Sequence, residues 1–171
     1  MCQIIRMCYF GRMEIRCLYD ELVDVKTLKP NKRNRNRHSI EQIDRLSKLL
    51  SYQGMRAPII ISKLSGEIVK GHCTLDAIKK LGVKKAPVVY QDFKDLDVEY
   101  AFVQSDNSIS SWSDLDLTGI NSDIGDLGPD FDIDLLGIKN FTLDIAEFEF
   151  DPSSKDNDKP HKVCPKCGEI I

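Results

Sequence analysis

Gly66-Glu67-Ile68-Val69-Lys70-Gly71-His72-Cys73-Thr74-Leu75-Asp76-Ala77-Ile78-Lys79-Lys80-Leu81-Gly82 reads as a strand, a tight glycine turn and a helix without interruption. Glu67 to Lys70 is a short strand, and from Thr74 onward Leu75, Ile78 and Leu81 share one side of a helix while Lys79 and Lys80 occupy the other. Gly82 closes that helix. Glycine lets a backbone approach a ligand closely, and the first amides of a helix point outward without intrahelical partners, so the Gly71-His72 turn has the elements of an anion site. His72 can donate a hydrogen bond to a bound phosphate, or act as acid or base, because imidazole titrates near neutrality. The plainer reading is that Gly71 only makes the turn and His72 only caps the helix.

Working outward, Pro58 to Ser62 is an apolar strand and Leu64-Ser65-Gly66 turns it into Glu67 to Lys70, which predicts a hairpin. Upstream, Ser39 followed by Gln42 forms a capping box; Ile40, Ile43, Leu46, Leu49 and Leu50 then recur at helical spacing until Gly54. Downstream, Pro87 to Tyr90 is a strand, and Asp95 to Asp106 reads as a third helix with a less regular apolar face. These elements predict an α+β domain over residues 13–107, preceded by an extended or disordered start over 1–12. Residues 108–150 form an acidic extension that retains enough apolar residues, Trp112 and Phe131 among them, to pack on the core. Residues 151–160 are a polar linker, and 161–171 form a small unit of their own.

Charge divides the chain more sharply than its net value of −3 suggests. Residues 1–91 hold 18 Lys and Arg against 8 Asp and Glu, whereas residues 92–171 hold 6 against 19. A basic half suits a polyanion such as DNA, because each cation near a phosphate releases condensed counterions. The acidic half can screen that face, dock a basic partner or keep the chain soluble. The longest purely apolar run, Ala57 to Ile61, is far short of the roughly 20 residues of a membrane-spanning helix, so no membrane role is expected. The first residues lack the apolar core and cleavage site of a signal peptide, and six scattered cysteines do not form a disulfide framework. A reducing cytoplasm is the expected setting.

Three further groups carry candidate chemistry. In the loop Lys32-Arg33-Asn34-Arg35-Asn36-Arg37-His38 cations alternate with asparagines; Arg35 and Arg37 are the candidate phosphate contacts, with His38 beside them. Glu41 and Asp76 can supply an acid for metal-assisted or general-base catalysis, with Mg²⁺ as the metal, or simply favour the first turns of their helices. At the C-terminus His161, Cys164 and Cys167 make half of a zinc knuckle, two thiolates spaced by two residues; Zn²⁺ needs a fourth ligand, which Cys17, another molecule or water can provide.

Taken as a set, several motifs resemble the ParB/sulfiredoxin superfamily: Leu28-Lys29-Pro30-Asn31, the arginine loop ending in Arg37-His38-Ser39, Pro58-Ile59-Ile60-Ile61, Gly71-His72, Ala77-Ile78-Lys79-Lys80-Leu81-Gly82, Pro87-Val88-Val89 and Asp106-Asn107. More narrowly they resemble ParB-like domains of phage proteins and of proteins fused to or encoded beside DNA methyltransferases. The tail, with Asp130-Phe131-Asp132, Leu135-Leu136-Gly137 and Phe141, is similar to the segment C-terminal to the domain in those proteins. The resemblance implies a small mixed sheet with packed helices and nucleotide or phosphate contacts from Gly71, His72, Cys73 and Thr74, with the arginine loop close by. It further implies DNA or nucleotide as partner, with a DNA methyltransferase or another phage DNA-processing protein beside it, in the bacterial host cytosol. Superfamily members include nucleases, nucleotide-dependent clamps and small-molecule kinases, so fold does not fix activity. The alternatives are therefore a metal-dependent nuclease or phosphoryl-transfer enzyme in the same pocket, with His72 and Glu41 as catalytic groups, and an interaction protein acting through its acidic tail. Thr74 stands where the family commonly has arginine, which removes a bidentate phosphate ligand and counts against catalysis. Cys73 follows the histidine, unlike the reactive cysteine of the sulfiredoxin branch, and reads as a small, partly buried residue. Oligomeric state is not legible in the sequence.

Overall fold

A computed structural model of the chain describes Tyr9–Phe10, residues 13–127 and residues 130–139. In chain order the elements are β1 (Tyr9–Phe10), β2 (Met13–Glu14), β3 (Glu21–Asp24), α1 (Ile40–Gln53), β4 (Ile59–Ser62), β5 (Ile68–Lys70), α2 (His72–Lys80), β6 (Lys85–Gln91), α3 (Leu96–Ser110), α4 (Leu117–Gly125) and a 3₁₀ turn at Ile133–Leu136. β1 and β2 pair with each other, and the main sheet has the order β3-β6-β4-β5. β6 is antiparallel to β3 and parallel to β4, while β4 and β5 form the antiparallel hairpin expected from the sequence. The architecture is α+β with a mixed sheet.

Parallel neighbours need a crossover, and the β5–α2 segment provides it between β4 and β6. These two central strands are covered on both faces: Ala86, Pro87 and Val88 are buried in succession, as are Ile61 and Ser62. Burial on both faces explains why they read as continuous apolar runs rather than as alternating patterns. Proline cannot donate to a ladder, and Pro87 sits opposite Leu22 of β3, one residue before pairing with β4 begins at Ile59–Val88. The sequence pattern assigns no element to Glu21–Asp24, whose four residues are half-buried or exposed with acids at both ends; only β6 makes it a strand.

Ser39 caps α1 by accepting from the Gln42 amide at 3.1 Å, and Gly54 ends it with φ +76°. A Cβ on Gly54 would lie 2.8 Å from the Glu14 carbonyl, because β2 passes directly over this turn and the Met55 amide donates to that same oxygen at 2.7 Å. Ile40 belongs to the helical apolar pattern yet is 79% exposed; the buried side begins with Ile43 and Leu46 and is completed by Ser47 and Leu50. In α2 the pattern holds: Leu75 and Ile78 are fully buried, and Lys79 and Lys80 are exposed. The helix begins at His72, two residues before its apolar periodicity.

Asp95 caps α3, accepting from the Val98 amide at 2.8 Å, and the helix runs through Asn107 to Ser110. Of its apolar residues Val103 is buried, as expected, but Leu96, Val98 and Tyr100 are exposed, and the other buried residue of the helix is Glu99. The acidic segment after α4 docks on α1 through its 3₁₀ turn: Lys48 pairs with Asp134 at 3.4 Å, Arg45 donates to the Ile138 carbonyl, and Gly137 sits against Leu49. Residues 1–140 form one unit, and residues 141–171 form another that lies outside the described residues. The 141–150 stretch, the 151–160 linker and the knuckle residues His161, Cys164 and Cys167 belong to the latter. No helix among the described residues is long and apolar enough to cross a membrane.

Ile78→Ala, which empties part of the core under α2, is expected to cost about 2–5 kcal/mol. Ile40→Ala, on the same kind of sequence periodicity but in solvent, is expected to stay within about 0.5 kcal/mol of wild type. Urea unfolding followed by far-UV circular dichroism distinguishes the two.

Candidate functional site

β5 delivers the chain to Gly71, which takes φ +100° and turns directly into α2. A side chain there would be strained twice over. Left-handed backbone costs about 1–2 kcal/mol for an L-residue, and a Cβ would stand 3.2 Å from Cγ1 of Ile59 on the neighbouring strand. No side chain caps the N-terminus of α2, which leaves that end of the helix without a donor-satisfying group of its own.

A cavity of about 180 Å³ opens at this turn, bordered by His38, Val69, Lys70, Gly71, His72, Cys73, Asp106 and Asn107. Lys70 reaches across to Asp106 of α3 at 2.6 Å, so the strongest cation of the cavity is already paired with a carboxylate. Beside it, Asn107 is held by three hydrogen bonds: its amide donates to Asn34 Oδ1 at 3.1 Å and to the Val103 carbonyl at 2.9 Å, and its Oδ1 accepts from Asn36 at 3.1 Å. Gln104 adds a bond to the Arg33 carbonyl at 2.9 Å. The loop is thereby fastened to α3 by its asparagines and by its backbone, while Lys32, Arg33, Arg35 and Arg37 are exposed. No ion pair engages these four cations among the described residues.

The residues expected from the sequence therefore separate. Gly71, His72, Cys73 and His38 share the cavity. Thr74 is partly buried in α2 but is not on the cavity wall, and Arg35 and Arg37 are exposed and do not border the cavity either. Glu41 forms an i,i+4 pair with Arg45 at 3.8 Å and borders a different, larger cleft of about 500 Å³, which Cys73 also touches. Asp76 is exposed, and its charge acts on His72 and Cys73. Lys70, Asn31, Asn34 and Asn36 lie in the strand, turn and loop that the sequence marks, but nothing in their pattern singles them out as wall or support. Among the described residues no group of three or more His, Cys, Asp or Glu is placed to hold a metal ion, and Cys17 is a partly buried free thiol.

Burial lowers the pKa of His72 from its ordinary 6.5, the nearby His38 lowers it further, and Asp76 opposes both. His72 is therefore neutral at physiological pH. Burial, followed by Asp76, raises the Cys73 thiol above its ordinary 9.0, which keeps it protonated and a poor nucleophile despite its place in the first turn of a helix.

No protein-family model matches the chain, and no curated protein matches it. Among solved structures the fold is ParB-like. The C-terminally truncated chromosome-partitioning protein ParB from Caulobacter crescentus, complexed with CTP-γ-S, matches with a TM-score of 0.51 at 20% identity, over 60% of this chain and 59% of that one. A Pnob8-like ParB-N domain in a C2221 crystal form matches with a TM-score of 0.44 at 22% identity, over 64% of this chain and 47% of that one.

A histidine whose folded pKa is depressed gives full stability above its unfolded value and loses it as pH falls toward the folded value, because the unfolded chain binds the proton first. Wild type is therefore expected to lose stability below pH 6.5 more steeply than His72→Gln, whose amide oxygen can accept the same hydrogen bond, with the two pH slopes agreeing above pH 7. Thermal melts across pH 5–8 measure the difference.

Proposed function

We propose that this chain is a ParB-like, DNA-associated protein that binds nucleotide or DNA phosphate where α2 begins. The observation that carries the reading is the uncapped start of α2 opening into a cavity walled by Lys70, His72 and Asn107. Unsatisfied amides, a lysine and a neutral imidazole together favour an oxyanion. Nucleotide is the first choice of ligand because the ParB of known structure carries CTP-γ-S. An incoming phosphate displaces Asp106 from Lys70, exchanging one anion for another.

A second surface supports DNA as the larger partner. Arg33, Arg35 and Arg37 project from a loop whose shape is held by asparagines, so their cost of ordering is partly met before any contact is made. They serve backbone phosphates and carry no base readout of their own. A phage or mobile-element setting, and a link to DNA methylation, belong to the same proposal through the motifs shared with those proteins. Zinc on Cys164, Cys167 and His161 is a separate expectation, and metal analysis of the chain with and without Cys164→Ser tests it.

In a thermal-shift panel of nucleoside triphosphates with Mg²⁺, at least one, CTP foremost, is expected to raise the melting temperature, and Lys70→Ala and His72→Ala are expected to reduce that rise. No shift with any nucleotide, pyrophosphate or duplex DNA would overturn the reading, and plasmid nicking abolished by His72→Ala would replace it with a nuclease. For DNA, fluorescence anisotropy between 50 and 200 mM salt is expected to show the slope of log K against log salt shallower by about 2–3 in the triple variant Arg33→Ala, Arg35→Ala, Arg37→Ala, at roughly 0.9 for each phosphate no longer neutralised.

A further inference from the structure

Behind the cavity lies a buried carboxyl group for which the sequence offers no explanation. Glu99 is 4% exposed, and no cation pairs with it among the described residues. Its two oxygens accept from the Ser62 hydroxyl and, at 3.5 Å, from the side-chain amide of Asn31. Asn31 is buried as well: its Oδ1 accepts from the Arg33 amide at 2.8 Å and its carbonyl from the Asn34 amide at 3.1 Å. With those groups engaged, the peptide N–H of Asn31 donates to Nε2 of His72 at 3.2 Å. A peptide N–H can only donate, so Nε2 presents a lone pair and the neutral ring carries its hydrogen on Nδ1. No hydrogen bond among the described residues engages Nδ1, and His72 is one of the residues that line the cavity.

We infer that the Asn31 peptide N–H locks His72 as a neutral Nδ1–H donor at the cavity, and that the buried Glu99–Ser62 pair is the positioning group that holds Asn31 in place. The lock stands on geometry alone; its use toward a phosphate rests on the proposed function. An Nδ1–H donor recognises oxygen lone pairs, as on phosphate or a carbonyl, and offers nothing to an ammonium or amide donor. Adding a proton at Nε2 requires breaking the bond to Asn31, so acid loosens the residue that leads into the arginine loop. The titratable groups around the ring are His38 from the loop, Cys73 and Asp76 from α2, Lys70 from β5 and Asp106 from α3. Lys70 and Asp106 are paired with each other, and the depressed pKa of His72 agrees with the lock.

The test is two-bond ¹⁵N–¹H correlation on the full chain with ¹⁵N-labelled histidine, the His72 signals being assigned by their loss in His72→Gln. At pH 8 the expected pattern is protonated Nδ1 and bare Nε2, with a titration midpoint below 6.5; an Nε2–H pattern, or averaging of the two tautomers, overturns the inference. Glutamine has one oxygen where glutamate has two, so Glu99→Gln leaves either Ser62 or Asn31 without an acceptor. Its His72 midpoint is expected to rise toward 6.5 with both tautomers present. If that variant does not fold, Asn31→Ala, which retains the peptide N–H but loses the anchor, is expected to give the same shift. A folded variant with unchanged His72 signals overturns the positioning role. Pyrophosphate added to wild type is expected to move the Nδ1 resonance; a lock observed without that movement upholds the inference and overturns the phosphate reading.

Discussion

Asn31 is the residue through which the parts of this structure meet. Its peptide N–H holds His72, its amide reaches Glu99, and its own oxygens fold the start of the arginine loop. A buried polar group without partners is costly, so the arrangement is all-or-none in character. Ser62 extends it to the sheet, since the same hydroxyl that donates to Glu99 accepts from the Leu64 and Ser65 amides and shapes the hairpin turn. One cluster thus joins β4, α3, the loop and the first residue of α2.

The loop itself divides labour between two residue types. Asparagine carries a donor and an acceptor on a short stem, which suits it to bonding nearby backbone and a facing side chain; Asn31 and Asn34 do both, and Asn36 bonds the facing Asn107. Arginine carries its charge on a long stem and is poorly accommodated against a helix surface that already has its bonds satisfied. The interleaving of the two types therefore yields a fixed backbone with outward cations. A loop of arginine and glycine would have the same charge and no fixed shape.

The charge asymmetry acquires a structural meaning in the docking of the tail. Lys48 and Arg45, on α1, receive the side chain of Asp134 and the carbonyl of Ile138. Part of the acidic half thus meets the two cations of α1, a helix that also carries Glu41 and Asp44, while the loop arginines are exposed. Surface pairs such as Lys48–Asp134 contribute little individually, so apolar contact, such as that of Leu49 with Gly137, and the Arg45 bond share in holding the segment.

Much of the fold was legible in the sequence because its signals are local. The Ser39 cap, the Gly54 stop, the hairpin at Leu64–Gly66 and the two-sided pattern of α2 depend only on residues within a few positions of one another. The glycine turn and His72 were legible for the same reason. Glu21–Asp24 was not, since an edge strand exists only where β6 offers it hydrogen bonds. The exposure of Ile40 and the burial of Glu99 beside Val103 on α3 were equally hidden, because burial depends on which element packs opposite. The site's supports, Asn31, Ser62, Glu99 and Asn107, bond to partners as many as 73 positions away, and none has a meaning by itself. Residue order determined the turn, the helix and the charges; only three-dimensional packing decided which imidazole nitrogen meets the Asn31 peptide N–H and how the asparagines fasten the loop to α3, because both depend on hydrogen bonds between segments distant along the chain.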